Sequence, residues 1–262
     1  MTRVSGQLTA PAGLRRRTQP STRKVIIAIP CYGGKADMTL TESLFRLLTA
    51  APRLDVSFDL VSVDYADIVV ARNYLASLFY FHEADASHLL FLDDDMGFDP
   101  DLIADMLALN RPVVGAVYPR RTIDLKALHG AAGQPFERAL AEACGFVGDP
   151  GAVSDAPFVR VRRCGTGILL IQRACLDRML DRQPDLIDRE KFRGNPALAR
   201  VFDKMITPFD KIVVDGHELS EDFSFCHRWV AQCQGEIWVS QDHRIRHRGS
   251  LEVQSRYRDL KA

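Results

Sequence analysis

Three consecutive carboxylates, Asp93-Asp94-Asp95, end the apolar run His88-Leu89-Leu90-Phe91-Leu92. Two such charges ~4 Å apart repel by ~4 kcal/mol at an effective dielectric of 20. A surface loop dilutes that cost with water, but a run of this composition reads as a buried strand. A cation at the strand end removes the difficulty. Oxygen ligands suit Mn²⁺ or Mg²⁺. On an extended backbone alternate residues share a face. Asp93 and Asp95 are therefore expected to point together, as an Asp-x-Asp pair, with Asp94 facing away. Asp99 and Asp101, just beyond, read as helix caps.

Four further groups could share that chemistry. Arg72 and Asn73 lie early in a helical segment, and an arginine near a metal-bound anion suits a phosphate or a carboxylate. Glu221 and Asp222 open a segment that begins at Ser220, a plausible N-cap. Negative charge in a first turn is favoured by the helix dipole. His243 and His247 flank the basic stretch Arg244-Ile245-Arg246, and His247 could supply a nitrogen ligand. Gly165-Thr166-Gly167 make a glycine turn between two apolar runs.

The elements that must position these groups are legible in the first half. Val25 to Ile29 is an unbroken apolar run, as in a strand buried on both faces, and it stops at Pro30-Cys31-Tyr32. A helix follows with Leu40, Leu44, Leu47 and Leu48 on one face. VSFDLVSVD alternates as a second strand and ends at Asp64. DIVVARNYLASLFYFHEA reads as a helix, HLLFLDD as a strand, DPDLIADMLAL as a helix and PVVGAVYP as a fourth strand. This alternation over 24–119 predicts an α/β fold with a mostly parallel sheet. In such sheets ligands bind beyond the carboxyl ends of the strands, where Pro30, Asp64 and the triplet fall. The second half is less regular. Residues 122–157 are rich in Gly, Ala and Pro, 183–209 read as an irregular insertion, and the Ser220 helix is followed by a strand at EIWVS that runs on into QDHRIRHRGS.

The 262 residues carry no net charge, and 47% are hydrophobic, so the chain can bury a real core and its overall charge selects no partner. Residues 1–23 form a basic, Pro/Thr/Ser-rich arm without apolar periodicity, which predicts disorder. That arm offers a peripheral contact to anionic lipid, although a solvated tail is the plainer reading. No run is long enough to span a bilayer and no export signal is present, which places the chain in the cytoplasm with its six cysteines reduced. The basic residues cluster in a tail rather than on an aromatic-studded face, which argues against nucleic acid as a partner.

The order of the pieces is more specific than any one of them. A strand ending in proline, then ARN, a strand ending in DDD, a GTG turn, an ED helix and a late histidine resembles glycosyltransferases of the GT-A fold, in particular the family-2-like group. The resemblance spans about Lys24 to Ser250. It implies one domain over 24–250, with a nucleotide-binding half at 24–119, an acceptor and catalytic half at 120–250, and a tail at 251–262. It implies a nucleotide-diphosphate sugar donor, a glycan, lipid or protein acceptor, and Mn²⁺ or Mg²⁺. In that likeness Asp95 is the direct metal ligand, with Asp93 on the ribose or metal, Asp94 beside it, and His247 completing the metal site. Pro30, Cys31, Tyr32, Asp64, Arg72, Asn73 and Gly167 would border the nucleotide-sugar. Asp222, next to Glu221, would be the general base of an inverting transfer.

The family's Asp-Asp-Gly-Ser stretch is replaced here by VDYAD, and the QxxRW motif of processive synthases is absent. Three rival readings compete. A phosphohydrolase would want Thr or Val where Met96 stands. A sugar-phosphate nucleotidyltransferase would want a basic, glycine-rich first loop. The third is a non-catalytic nucleotide-binding or interaction module on the same fold.

Overall fold

The computed structural model describes residues 23–148, 151, 154–249, 252–256 and 258. The expected arm therefore lies outside the described residues except for Arg23, which opens the first strand.

The first half follows the predicted alternation. Strand β1 (Arg23–Pro30) leads through a turn to helix α1 (Met38–Leu54), and strand β2 (Val56–Val63) to helix α2 (Ile68–His82). Strand β3 (His88–Leu92) and the two-residue β4 (Met96–Gly97) precede helix α3 (Pro100–Leu109), and β5 (Val113–Ala116) follows. Asp37 caps α1 by accepting from Thr39 N, and Asp67 caps α2 by accepting from Val69 N and Val70 N. Asp99 sits at the N-cap of α3, but its side chain makes no capping bond; it faces Arg46 instead, at 3.8 Å. Leu48 departs from the predicted apolar face: it is 47% exposed, whereas Leu40 and Leu47 are fully buried.

Strands β6 (Tyr118–Pro119) and β7 (Phe146–Val147) pair around helices α4 (Leu125–Gly130) and α5 (Phe136–Cys144). Then come β8 (Phe158–Val161), β9 (Ile168–Gln172) and α6 (Arg173–Arg182). Two hairpins, β10 (Ile187–Asp188) with β11 (Met205–Ile206) and β12 (Val213–Val214) with β13 (His217–Glu218), follow, the first enclosing the short helix α7 (Pro196–Ala199). Helix α8 (Glu221–His227) runs into a π turn over Arg228–Gln232. Strands β14 (Ile237–Ser240), β15 (Ile245–Arg248) and β16 (Glu252–Ser255) come last.

Seven strands form the central sheet in the order β2-β1-β3-β9-β5-β14-β8. Strands β1, β2, β3, β5 and β14 run one way, while β9 and β8 oppose them. Helices cover both faces. On β1, Val25, Ile27 and Ile29 pack with α1 and α3, while Ile26 and Ala28 pack with α2, α6 and α8. That double burial is why the run carries no polar residue.

Three expectations change. The segment 183–209, expected as an irregular insertion, is built into the core: Leu186, Phe192, Phe202, Ile206 and Phe209 belong to it on the α2 side, and Phe202 meets Tyr74 edge-on at 5.3 Å. EIWVS does not run straight on into QDHRIRHRGS. The chain turns after Ser240, and β15 joins a separate small sheet, β16-β15-β4. Glu252–Ser255, expected in a tail, form the outer strand of that sheet.

Candidate active site

The five co-directional strands end on one rim. Pro30, Val63 and Leu92 finish there, and because β9 runs against β3 its first residue starts there. Asp93 N donates to Gly167 O at 2.9 Å, so the glycine turn and the carboxylate triplet meet edge to edge. The small sheet supplies the other side: Met96 pairs with His247, and Arg248 N donates to Asp95 O at 2.9 Å.

The triplet itself is not extended. Strand β3 stops at Leu92, and Met96 N bonds back to Asp93 O at 3.2 Å, closing a turn. The two-residue alternation predicted for Asp93 and Asp95 is therefore lost, and each carboxylate meets its own cation. Asp93 faces Arg72, whose Nη2 lies 3.2 Å from Oδ1; the Nε of the same guanidinium lies 3.4 Å from Glu221 Oε1. Asp95 faces Arg121, whose Nη1 donates to Oδ2 at 2.8 Å, and His247, whose Nε2 lies 3.5 Å from Oδ1. Between them, burial with Asp95 and Asp93 alongside pushes the pKa of Asp94 up to about 6. The Asp94 backbone carbonyl accepts from Asp37 N at 2.8 Å, tying the turn to the start of α1.

Arg72 is 3% exposed. Burial works against its charge, but Asp93 and Glu221 outweigh that and raise its pKa. It bridges two carboxylates from different elements, Asp93 after β3 and Glu221 on α8. Asn73 is also engaged within the protein. Its amide donates to Asp210 at 2.7 Å and accepts from Phe209 N at 3.0 Å, locking the 207–210 segment onto α2.

The glycine turn is shaped by Tyr118. The Tyr118 hydroxyl accepts from Gly167 N at 3.1 Å, and burial, then the Asp93 charge, hold its pKa well above the usual phenol value. A Cβ on Gly165 would lie 2.0 Å from that hydroxyl and one on Gly167 2.9 Å from it, so only glycines admit the ring. Between them Thr166 is buried with its hydroxyl unpartnered.

At the first loop, Tyr32 is 74% exposed and Gly33 N donates to the exposed Asp64 at 2.8 Å. Burial, then the Asp94 and Asp64 charges, raise the Cys31 pKa. Asp222, at the start of α8, accepts from Phe223 N at 2.8 Å and from the Ser220 hydroxyl, both through Oδ1.

Among the described residues no three His, Cys, Asp or Glu side chains gather into a metal cage. What the rim offers is a pair. His247 Nδ1 lies 2.8 Å from Pro119 O, which can only accept, so Nδ1 carries a proton and Nε2 is the nitrogen turned toward Asp95, 3.5 Å from its Oδ1. One carboxylate oxygen and one imidazole nitrogen fit a divalent ion that takes its remaining ligands from a diphosphate and water. A cavity of about 510 Å³ opens elsewhere, at the β8 edge beside Arg160, Val230 and Glu236, and none of the candidate residues line it.

Arg121 and Tyr118 join the site without a signal in the sequence. Tyr118 hides at the end of an apolar strand, and Arg121 sits in a basic pair that reads as surface.

No family model matches the chain, and no curated protein matches its sequence. Its structure is similar to A197 from STIV at 16% identity, covering 86% of each chain with a TM-score of 0.45. It is also similar to a glycosyltransferase involved in the glycosylation of the major capsid of PBCV-1, at 10% identity over 58% of this chain and 61% of that one, TM-score 0.32. A third likeness is to mannose-1-phosphate geranyltransferase from Thermus thermophilus, at 11% identity over 84% and 74%, TM-score 0.40. Likenesses this distant carry no residue-by-residue correspondence, so the chemistry rests on the rim itself. Among the described residues no helix is long and apolar enough to cross a membrane.

Proposed function

We propose that the chain is a metal-dependent glycosyltransferase of the GT-A kind, moving a sugar from a nucleotide-diphosphate donor to an acceptor hydroxyl with inversion. The observation that carries this is the Asp95–His247 pair at the carboxyl rim of the sheet, with the Nδ1 proton pinned by Pro119. Asp95 and His247 would hold Mn²⁺ or Mg²⁺, which when bound supplies electrostatic stabilisation of the departing diphosphate. Asp93, fixed by Arg72, borders the same space and would orient the donor ribose. Gly165-Thr166-Gly167 give the sugar a wall without side chains at two of three positions. Pro30, Cys31, Tyr32 and Asp64 would take the base. Asp222 uses Oδ1 for its bonds at the helix start and keeps Oδ2 for the proton of an acceptor hydroxyl. Glu221 is spent on Arg72 and holds the helix in place. General-base help of this kind contributes ~10²–10⁴-fold.

The test is calorimetric titration with UDP and with GDP, each with and without Mn²⁺. One nucleotide should bind only when metal is present. D95N should abolish that metal dependence, and D222N should keep binding but lose transfer ~10²–10⁴-fold. Nucleotide binding that ignores both metal and D95N would defeat the proposal. One observation favours a second reading: Arg121 already neutralises Asp95. A non-catalytic nucleotide-binding module would need no other cation there, and it would bind nucleotide without metal. Pyrophosphate release from a nucleoside triphosphate would instead mark a nucleotidyltransferase.

A further inference from the structure

Two arginines face the ends of the triplet, Arg72 at Asp93 and Arg121 at Asp95, and they are built differently. Arg72 is 3% exposed and is shared between Asp93 and Glu221. The Arg121 side chain is 57% exposed, and it pairs with Asp95. The loop that carries it is anchored on either side: Arg120 N donates to Gly145 O at 3.1 Å and Asp124 N to Ala143 O at 2.9 Å. Its stem packs on the backbone at Gly249, where a Cβ would lie 3.0 Å from Arg121 Cβ. Backbone and stem are thus set, while the guanidinium end stands in solvent on the carboxylate that pairs with His247.

We infer that Arg121 is an exchangeable counter-ion: it occupies Asp95 in the empty protein, yields it to the divalent cation, and then grips the donor's diphosphate. This rests on the transferase reading above. Asp95 Oδ2 cannot serve the guanidinium and a metal fully at once, so the two cations compete. The donor's diphosphate carries two negative charges and Asp95 a third, more than one divalent ion neutralises, so a guanidinium released at that point meets anionic oxygens. Its planar fork suits them better than an ammonium would. No bond is made or broken in the exchange; one ion pair replaces another.

The full chain as wild type, R121Q and R121K would be titrated calorimetrically with MnCl₂ alone, and then with UDP and GDP at saturating Mn²⁺. R121Q should bind Mn²⁺ alone about two- to fivefold tighter, because the competitor for Asp95 is gone. The same variant should bind the preferred nucleotide about tenfold more weakly, having lost a charge-assisted contact. R121K should fall between the two for nucleotide, keeping the charge without the fork. Equal Mn²⁺ affinity in wild type and R121Q, or an unchanged nucleotide affinity, overturns the role of Arg121 and leaves the transferase reading standing. Wild type that binds neither Mn²⁺ nor nucleotide overturns both.

Discussion

The inner and outer ends of the aspartate triplet solve one problem in opposite ways. At the inner end Asp93 and Glu221 are clamped by a guanidinium shut away from water. At the outer end Asp95 is met by a guanidinium that stands mostly in solvent and by the Nε2 of a histidine whose Nδ1 is held by Pro119 O. A largely buried ion pair is costly to break, because the abandoned charges, here 27% and 15% exposed, meet little water. An exposed pair is worth little, because water replaces either partner. The inner contact therefore suits architecture, joining the triplet turn to α8. The outer contact suits exchange.

The sharpest way to break that comparison is R72M. It leaves Asp93 and Glu221 uncompensated and should cost about 3–5 kcal/mol in urea unfolding, whereas R121Q should fall within about 0.5 kcal/mol of wild type. Equal losses in the two variants would erase the distinction. Next, G165A should cost about 1–3 kcal/mol, since the new methyl would land on the Tyr118 hydroxyl. Wild-type stability in that variant would show that Tyr118 does not fix the turn. The smallest effect concerns Asp94, which lies between the two ends. Its pKa is pushed up to about 6 from an ordinary value of 3.8. Between those values the folded chain holds a proton that the unfolded chain has released, so stability falls as pH rises through the window, and the cost is complete above it. D94N should therefore gain about 1 kcal/mol at pH 8 and nothing at pH 4, read as the difference in thermal midpoint. A gain that persists at pH 4 would place the effect elsewhere.

Much of this is legible in the sequence because it is local. Val25 to Ile29 announces a strand buried on both faces. Ser220 announces a helix start, and an apolar run ending in charge announces a candidate site. Other features depend on distant chain. The expected Asp-x-Asp geometry needs an extended backbone, and one hydrogen bond from Met96 N folds it into a turn. Arg121 carries no spacing signal toward Asp95, because the loop after β6 sets their meeting. Helices α4 and α5 are hidden because alanine and glycine blur the apolar period. Phe192, Phe202 and Phe209 look like loop aromatics because nothing local tells a chain that α2 lacks a cover.

Strand β9 imposes an order on assembly. It lies between β3 and β5, though both precede it in the chain. During synthesis β3 and β5 leave the ribosome with two bare edges facing a gap, and nothing made so far can fill it. Bare edges of that kind invite pairing with other chains. Residues 24–119, expected to form the nucleotide-binding half of one domain, thus lack the strand that joins β3 to β5. The same late strand begins at the glycine turn, so the gap closes and the rim acquires its glycine wall in one event.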